Sequence, residues 1–253
     1  MNHTEIRIQN LSDILSTVSD TPVSANILEH EIEGMDTLFH ALPPGNRYGT
    51  ETGSDRGRLY LFSSGNGTVE QEGSRFDIKE IALFIPVHQK PAIIKSGKEI
   101  LSFLEIAVSL SQEDTDELES RQEKYPFFTS YSECTTYKEA IKSEKTINRT
   151  LLPEHTFPRL CIGSVQTNGP DRVDSHRHPM LEQLFFGLKG NCCIVRADDL
   201  KCRFNENVLL HIPLGSDHSV EVEQGCDLHY IWMDLFRSSS DMDYITETHL
   251  EDE

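Results

Sequence analysis

The chain has 253 residues, of which 37% are apolar and 26% are charged, and its formal net charge is −19. A chain of this length can form one large domain or two smaller domains, each with its own core. The negative charge argues against nucleic acid and anionic membranes as partners, because phosphate groups bind to clustered lysine and arginine. No apolar run approaches a membrane span and residues 1–5 lack the blocks of a secretory signal, so we expect a cytoplasmic protein.

Residues 1–110 are predicted to form β-strands, because short segments of alternating apolar and polar residues are separated by turn residues. Within them, residues 45–57 are rich in glycine and polar side chains but contain no histidine. This first domain is therefore expected to carry no metal site. We interpret it as a packing or dimerisation platform and expect the protein to be a homodimer.

Residues 111–150 are predicted to form a helical linker. Ser111 and Asp114 have the spacing of a capping box, and the acidic segment that follows predicts a helix ending before Pro126. Thr136 and Glu139 have the same spacing and predict a second, short helix that continues to about residue 145.

Residues 151–237 are predicted to form a second β-domain that repeats the first. Gly65 in the first half has a counterpart in Gly190, about 125 residues later, and the segment Leu83–Pro86 resembles Leu210–Pro213, about 127 residues later. A similar order of motifs at nearly constant spacing indicates two copies of one fold. Residues 238–253 form an acidic tail, which we interpret as a solvated end of the chain.

The most informative stretch of the second half is Asp174–Glu182, which reads DSHRHPMLE. Side chains alternate along a strand, so His176 and His178 can point to one face and bind one ion together. Pro179 should end that strand, and Glu182 then lies at the mouth of the next one. About forty residues later, His218 follows a turn and can close the set from an antiparallel neighbour.

Three imidazoles and one carboxylate suit a divalent ion of Mn, Fe, Co, Ni or Zn, and such a set leaves coordination positions open for a substrate. If the two histidines of the first motif face inward, strand alternation places Glu182, Leu184 and Phe186 inside as well. The alternative is that these residues are unrelated surface and core histidines. The order and spacing of the whole set favour a metal site.

These motifs resemble the two sequence motifs of the cupin superfamily, in which a His-x-His, a Glu and a later His hold one metal in a small barrel. The resemblance implies an all-β fold of two antiparallel jelly-roll barrels, a bicupin, joined by the helical linker. It assigns the metal to His176, His178, Glu182 and His218. The sequence departs from the family pattern in one interval, because Gly190 follows Glu182 one residue later than is usual.

The six cysteines are too sparse to indicate a disulfide framework, so we expect reduced thiols. Cys192 and Cys193 are adjacent in a predicted strand and should point to opposite faces. A small buried apolar side chain is the simplest interpretation of either one.

Three side chains near the predicted metal are candidates for the catalytic base, and a metal-bound water is a further one. His211 lies on a strand of the second barrel, and His229 and Tyr230 lie on opposite faces of its last strand. Periodicity does not decide which face of that last strand looks inward, because both faces are substantially apolar.

The segment from residue 205 to residue 233 also resembles, more loosely, the end of the two-barrel sugar-acid ketol-isomerases, the ketodeoxyuronate and deoxyglucuronate isomerase group. That resemblance implies a divalent metal acting as a Lewis acid on a sugar or a keto or hydroxy acid in the second barrel. Two alternatives remain open. The site can serve an iron-dependent cupin dioxygenase, or a metal- or ligand-binding module without catalytic activity.

Overall fold

The computed structural model describes residues 5–242. Most of the predicted acidic tail therefore lies outside the described residues. The chain divides into two compact units. Residues 11–134 form what we call the N-terminal unit, whereas residues 5–10, which include β1 (Arg7–Asn10), join residues 135–242 in the C-terminal unit. No helix within residues 5–242 has the length and apolar composition needed to cross a membrane.

The N-terminal unit consists of two antiparallel sheets. Its strands in chain order are β2 (Val23–Ile32), β3 (Met35–Leu42), β4 (Arg47–Gly49), β5 (Arg56–Ser64), β6 (Gly67–Gln71), β7 (Ser74–Ile78), β8 (Ala82–Ile85), β9 (Ile93–Ser96), β10 (Leu101–Ser109) and β11 (Phe127–Ser130). The larger sheet has the order β11-β8-β5-β10-β3-β2 and the smaller one β4-β9-β6-β7. Alternate residues of these strands, among them Tyr60, Phe62, Phe84 and Phe103, form one buried apolar cluster.

The helices of this unit are short. They are α1 (Ser12–Leu15) and α2 (Gln112–Ser120), with 3₁₀ turns at Gln122–Lys124 and Tyr131–Glu133. The Ser111 hydroxyl accepts a hydrogen bond from the Asp114 amide, and the Asp114 carboxylate accepts one from the Ser111 amide. The capping box predicted at Ser111 is thus confirmed.

The C-terminal unit repeats the same plan. After β1 its strands are β12 (Thr135–Tyr137), β13 (Ile147–Leu152), β14 (Leu160–Asn168), β15 (Asp171–His176), β16 (Leu181–Gly187), β17 (Cys192–Ala197), β18 (Leu200–Asn205), β19 (Val208–Ile212), β20 (His218–Val222) and β21 (Asp227–Phe236), followed by a 3₁₀ turn at Ser239–Asp241. The larger sheet has the order β1-β19-β16-β21-β14-β13-β12 and the smaller one β15-β20-β17-β18. Each strand of the N-terminal unit has a counterpart in this order, and β12 is one extra edge strand. The prediction of two all-β copies of one fold is thus confirmed.

Both boundaries of the first domain differ in the structure from those that the sequence analysis predicts. β1 pairs with β19, where Arg7 lies opposite His211, and so it fills the sheet edge that β11 fills beside β8 in the N-terminal unit. Local composition shows that a segment is a strand but not which sheet edge it joins. Residues 111–134 belong to the N-terminal unit rather than to a separate linker.

The second linker helix, predicted from Thr136 to about residue 145, is not formed. Residues 135–137 instead form β12, in which Thr136 pairs with Arg149 of β13. Threonine and tyrosine favour strands, and pairing with a neighbouring strand outweighs a capping signature. The residues after β12 form a connecting segment, 138–146, which returns to the sheet at β13.

One cysteine prediction is wrong. Cys192 forms a disulfide with Cys226, and their Cα atoms lie 5.2 Å apart. The two are brought together because Asn191 forms a bridge with Asp227, which places the start of β17 beside the turn before β21. Cys193 points the other way, into the buried core, as the strand alternation predicts.

Candidate metal centre

Three histidines of the C-terminal unit meet where β15 and β20 pair. His176 is the last residue of β15, His178 follows in the turn after it, and His218 is the first residue of β20. The strand register places His176 directly opposite His218 after an irregularity that follows Val173. The shared ladder therefore brings together side chains that are about forty residues apart in sequence.

The three imidazoles are close enough to share one ion. One ring nitrogen from each lies within 4.8 Å of the others. The ring centroids of His176 and His218 are 4.2 Å apart, and those of His176 and His178 are 5.0 Å apart. His178 and His218 are buried, whereas His176 is partly exposed. The predicted convergence of these histidines is confirmed.

Two of the rings are oriented by the backbone. Nδ1 of His176 lies 2.8 Å from the carbonyl oxygen of Asp174, and Nδ1 of His218 lies 3.4 Å from that of Ser216. When Nδ1 carries the proton that a carbonyl accepts, the lone pair is on Nε2. That is the tautomer in which a metal-binding histidine is usually held.

Glu182 does not join the cluster, and the predicted phase of β16 is wrong by one residue. Its carboxylate Oε2 lies 2.9 Å from Nε2 of His211. Gln183 and Phe185, on the opposite face of β16, line the cavity beside the histidines. The turn after His178 has no fixed length. The spacing from the histidines therefore could not show which residues of β16 face the cavity. The sequence did contain a signal, which is the interval to Gly190. When that interval is counted from Gln183 instead of Glu182, it agrees with the cupin pattern.

Gln183 has an unusual environment. It is 6% exposed, and it lines a small recess together with His178 and His218. Its amide nitrogen Nε2 donates a hydrogen bond of 2.8 Å to the Asp234 carboxylate, which lies opposite it across the β16–β21 ladder. Its oxygen Oε1 is buried and has no hydrogen-bond partner among the described residues. Such an acceptor costs about 1–3 kcal/mol unless something binds it.

The histidines open into a cavity of about 200 Å³ inside the C-terminal unit. Most of its wall is apolar and is contributed by both sheets and the 138–146 segment, through Ile141, Leu152, Val173, Phe185, Val220 and Trp232. A mostly apolar pocket with a few converging polar groups is the usual form of a small-molecule site.

Two charged residues of the wall come from the 138–146 segment, which sequence analysis interpreted as linker. Nζ of Lys142 lies 2.8 Å from the Glu139 carboxylate, and the two side chains are only 6% and 9% exposed. The segment is held against β15 because the Asp174 amide donates to the carbonyl of Ile141. No local pattern in the sequence distinguishes this pair from a solvated one, so sequence reasoning missed it.

Burial changes the protonation of several groups in the cavity wall. It lowers the pKa of Lys142 against the opposing effect of Glu139, and it raises the pKa of Asp234 to about 7 against the hydrogen bond from Gln183. Burial also raises the pKa of Tyr137 and of Tyr230 well above the ordinary value. Both phenols therefore stay protonated at neutral pH, and each has an O–H that can donate a hydrogen bond.

Of the three candidate bases, the structure places one at the cavity. Tyr230 lines it, beside Trp232. His211 is fully buried on the other face of the sheet, where it contacts Glu182. His229 is not among the residues lining the cavity, and burial lowers its pKa.

Comparison with known proteins identifies the fold. No protein-family model matches the sequence, and no curated protein matches it significantly. Among solved structures, a cupin 2 conserved barrel domain protein from Leptotrichia buccalis superposes with a TM-score of 0.62 at 16% identity, covering 91% of this chain and 96% of that one. A protein described as glyoxylate-induced, from Pseudomonas aeruginosa, gives a TM-score of 0.72 at 10% identity, covering 93% and 91%.

Oxalate decarboxylase from Lactobacillus farciminis, in complex with formate, gives a TM-score of 0.67 at 12% identity and covers 90% of this chain and 86% of that one. The chain therefore has the cupin fold, as its motifs predicted. At these identities the likeness concerns the fold alone, so the reaction has to be argued from the site itself.

Proposed function

We propose that the C-terminal unit binds one divalent transition metal through His176, His178 and His218, and that the protein is a small-molecule metalloenzyme. Its reaction is a ketol isomerisation or a related lyase reaction on a sugar or a keto or hydroxy acid. The observation that carries the proposal is the convergence of three imidazoles at a mostly apolar cavity.

The residues present fit such an ion. The three imidazole nitrogens lie within 4.8 Å of one another, so small side-chain rotations would bring them to the metal–nitrogen distances of about 2.0–2.1 Å that one ion requires. Nδ1 in two of the rings lies beside a backbone carbonyl, which suits the tautomer that leaves Nε2 free to ligate. When bound there, the ion supplies a Lewis acid that polarises a carbonyl or hydroxyl oxygen.

The groups that can move a proton are on the 138–146 segment. We assign the role of base to Glu139, whose carboxylate lines the same cavity as the histidines and is held by Lys142. Tyr137 forms a further hydrogen bond to this carboxylate. A carboxylate fixed in this way can take a proton from a carbon next to a substrate carbonyl and return it to the neighbouring carbon.

The apolar wall contributes by limiting water around the reacting atoms. Phe185 packs against Tyr230 with ring centroids 4.7 Å apart, and Trp232 packs against the same core cluster. Electrostatic interactions are stronger in such surroundings than in water. The protonated phenol of Tyr230 is available there as a donor to a substrate oxygen.

The metal assignment is tested by elemental analysis of purified protein and of the His176→Ala and His218→Ala variants. We expect the wild-type protein to retain about one ion per chain and both variants to lose it. A variant that still holds stoichiometric metal would contradict the ligand assignment.

The reaction class is tested by incubating the metal-loaded protein with candidate keto and hydroxy acids in D₂O. We expect deuterium to enter the substrate at a carbon next to the carbonyl, and Glu139→Gln to slow this exchange by at least about 100-fold. Exchange at an unchanged rate in that variant would remove Glu139 from the mechanism.

Oxygen chemistry is the second candidate, because an imidazole cluster also suits iron. Assays without oxygen separate the two, since isomerisation consumes none. The position of the Glu139 carboxylate at the same cavity as the histidines supports proton transfer over a binding role.

A further inference from the structure

We infer that Gln183 Oε1 is the fourth ligand of this metal and that Asp234 positions it, so that the protein ligands carry no negative charge and the site selects an anionic substrate. This inference rests on the proposed metal site and deepens it. It concerns which residue completes the site and which chemical class of molecule the site accepts.

The orientation of Gln183 follows from its hydrogen bond. The Gln183 amide nitrogen donates to Asp234, whose ionised form has only acceptor atoms. The bond of 2.8 Å from Nε2 to Asp234 Oδ1 fixes that side, and Oε1 therefore points away from Asp234. It is buried, it lacks a partner among residues 5–242, and the recess that it lines also contains His178 and His218.

The amide determines the charge of the site. Three neutral imidazoles and one neutral amide leave a divalent ion with its full positive charge, whereas a glutamate in the same place would remove one unit. The nearest lysine of the wall, Lys142, is already paired with Glu139. Glu154 and Asp234 also line the cavity but are not among the ligands, so the ion keeps its positive charge toward its open positions, and we assign the substrate to the carboxylic acids rather than the neutral sugars.

An exchange variant tests the charge argument. Gln183→Glu combined with Asp234→Asn keeps a carboxylate and an amide side by side but puts the carboxylate on the metal. We expect Co²⁺ to bind at least about tenfold more tightly in this variant, measured by competition with a chelator.

In the wild-type protein, glycolate should perturb the visible spectrum of bound Co²⁺ at concentrations at least about tenfold below those needed for the neutral diol ethylene glycol. That preference should shrink in the exchange variant.

Glu182→Gln is the matched control, because it changes a carboxylate one residue away on the other face of β16. It should leave Co²⁺ affinity and the glycolate preference unchanged. Should the exchange variant not fold, Gln183→Leu replaces it, with Co²⁺ affinity expected to fall about tenfold.

Asp234→Leu tests the positioning role. Without its acceptor the Gln183 amide can rotate, and the affinity for Co²⁺ should fall by about 10- to 100-fold. Asp234→Asn still offers an oxygen to Nε2 and should retain most of the affinity.

The outcomes separate this inference from the proposed function. If the wild-type protein binds one ion but the exchange variant matches it in Co²⁺ affinity and glycolate preference, Gln183 is not a ligand and only this inference fails. If the wild-type protein binds no ion, the proposed function fails, and the inference fails with it.

Discussion

The two units of the molecule share one topology but fill the centres of their barrels in different ways. Tyr60 of β5 stands five residues before Gly65, as Phe185 of β16 stands five residues before Gly190, and both side chains belong to the buried clusters of their units. Two residues earlier on each strand, the N-terminal unit has Arg58 where the C-terminal unit has Gln183. A permanent cation of the chain thus stands at the position of the proposed metal ligand.

Arg58 is surrounded by acceptors. Its Nε donates to the Glu105 carboxylate at 3.0 Å, and its NH2 group donates to Glu51 at 2.6 Å. Glu105 also accepts a 2.5 Å hydrogen bond from the Tyr48 hydroxyl and lies 3.2 Å from Nε2 of His40. This network, which we call the Arg58 network, is built from the unit's own side chains.

The difference shows that the interior of the same barrel fold can either stabilise the fold or provide a site for an ion. In the N-terminal unit, Arg58 compensates the charge of the buried Glu105 carboxylate, so the chain itself supplies the cation, although Nη1 of Arg58 has no hydrogen-bond partner among the described residues. In the C-terminal unit, imidazoles converge with no acid among them, and they form the one metal-competent cluster among residues 5–242. The first arrangement stabilises the fold, and the second leaves a place for an ion.

The largest effect is expected from breaking the Arg58 network. Arg58→Met keeps the length of the side chain but removes the charge, which leaves the buried carboxylate of Glu105 without its cation. Breaking a buried ion pair in this way costs about 3–5 kcal/mol. Denaturant unfolding of metal-free protein should show this loss, whereas His176→Ala measured without metal should cost far less. Equal losses in the two variants would mean that the barrels do not differ as described.

A smaller effect is expected when metal is added. An ion that binds only the folded C-terminal unit stabilises that unit by about 2.7 kcal/mol at a free concentration of one hundred times Kd. Thermal unfolding with Co²⁺ and with EDTA should therefore differ for the wild-type protein and coincide for His218→Ala. Stabilisation that persists in that variant would place the ion elsewhere.

The sequence predicted those features that depend on residue spacing alone. The repeat appears as motifs at nearly constant spacing, and the strands appear as alternating apolar and polar residues. The convergence of His176, His178 and His218 follows from the alternation of side chains along paired strands. The phase of β16 did not follow from the histidines, because a turn of unknown length separates it from them. The residue of β16 that lines the cavity beside the histidines is therefore Gln183 rather than Glu182.

Features that depend on contacts between distant segments could not be predicted. β1 joins β19 across about two hundred residues of chain. Glu139 and Lys142 line the cavity only because the 138–146 segment packs over it. Burial, rather than residue type, distinguishes that pair from the many solvated acidic and basic residues of this chain.

The smallest effect concerns the pH dependence of the Arg58 network. Burial opposes ionisation of Glu105, but hydrogen bonds from His40 and Tyr48 and the charge of Arg58 outweigh it, so the pKa of Glu105 is lowered from its usual 4.5. A carboxyl group with a lower pKa in the folded state contributes stability that is fully present above the unfolded value. This stability is lost as the pH falls from about 4.5 through the folded value. Glu105→Gln removes the titrating group, so its unfolding free energy should fall less steeply between pH 5 and pH 3 than that of the wild-type protein. Parallel slopes would show that Glu105 is not held in its charged form by these neighbours, and the contrast between the two barrels would lose its electrostatic basis.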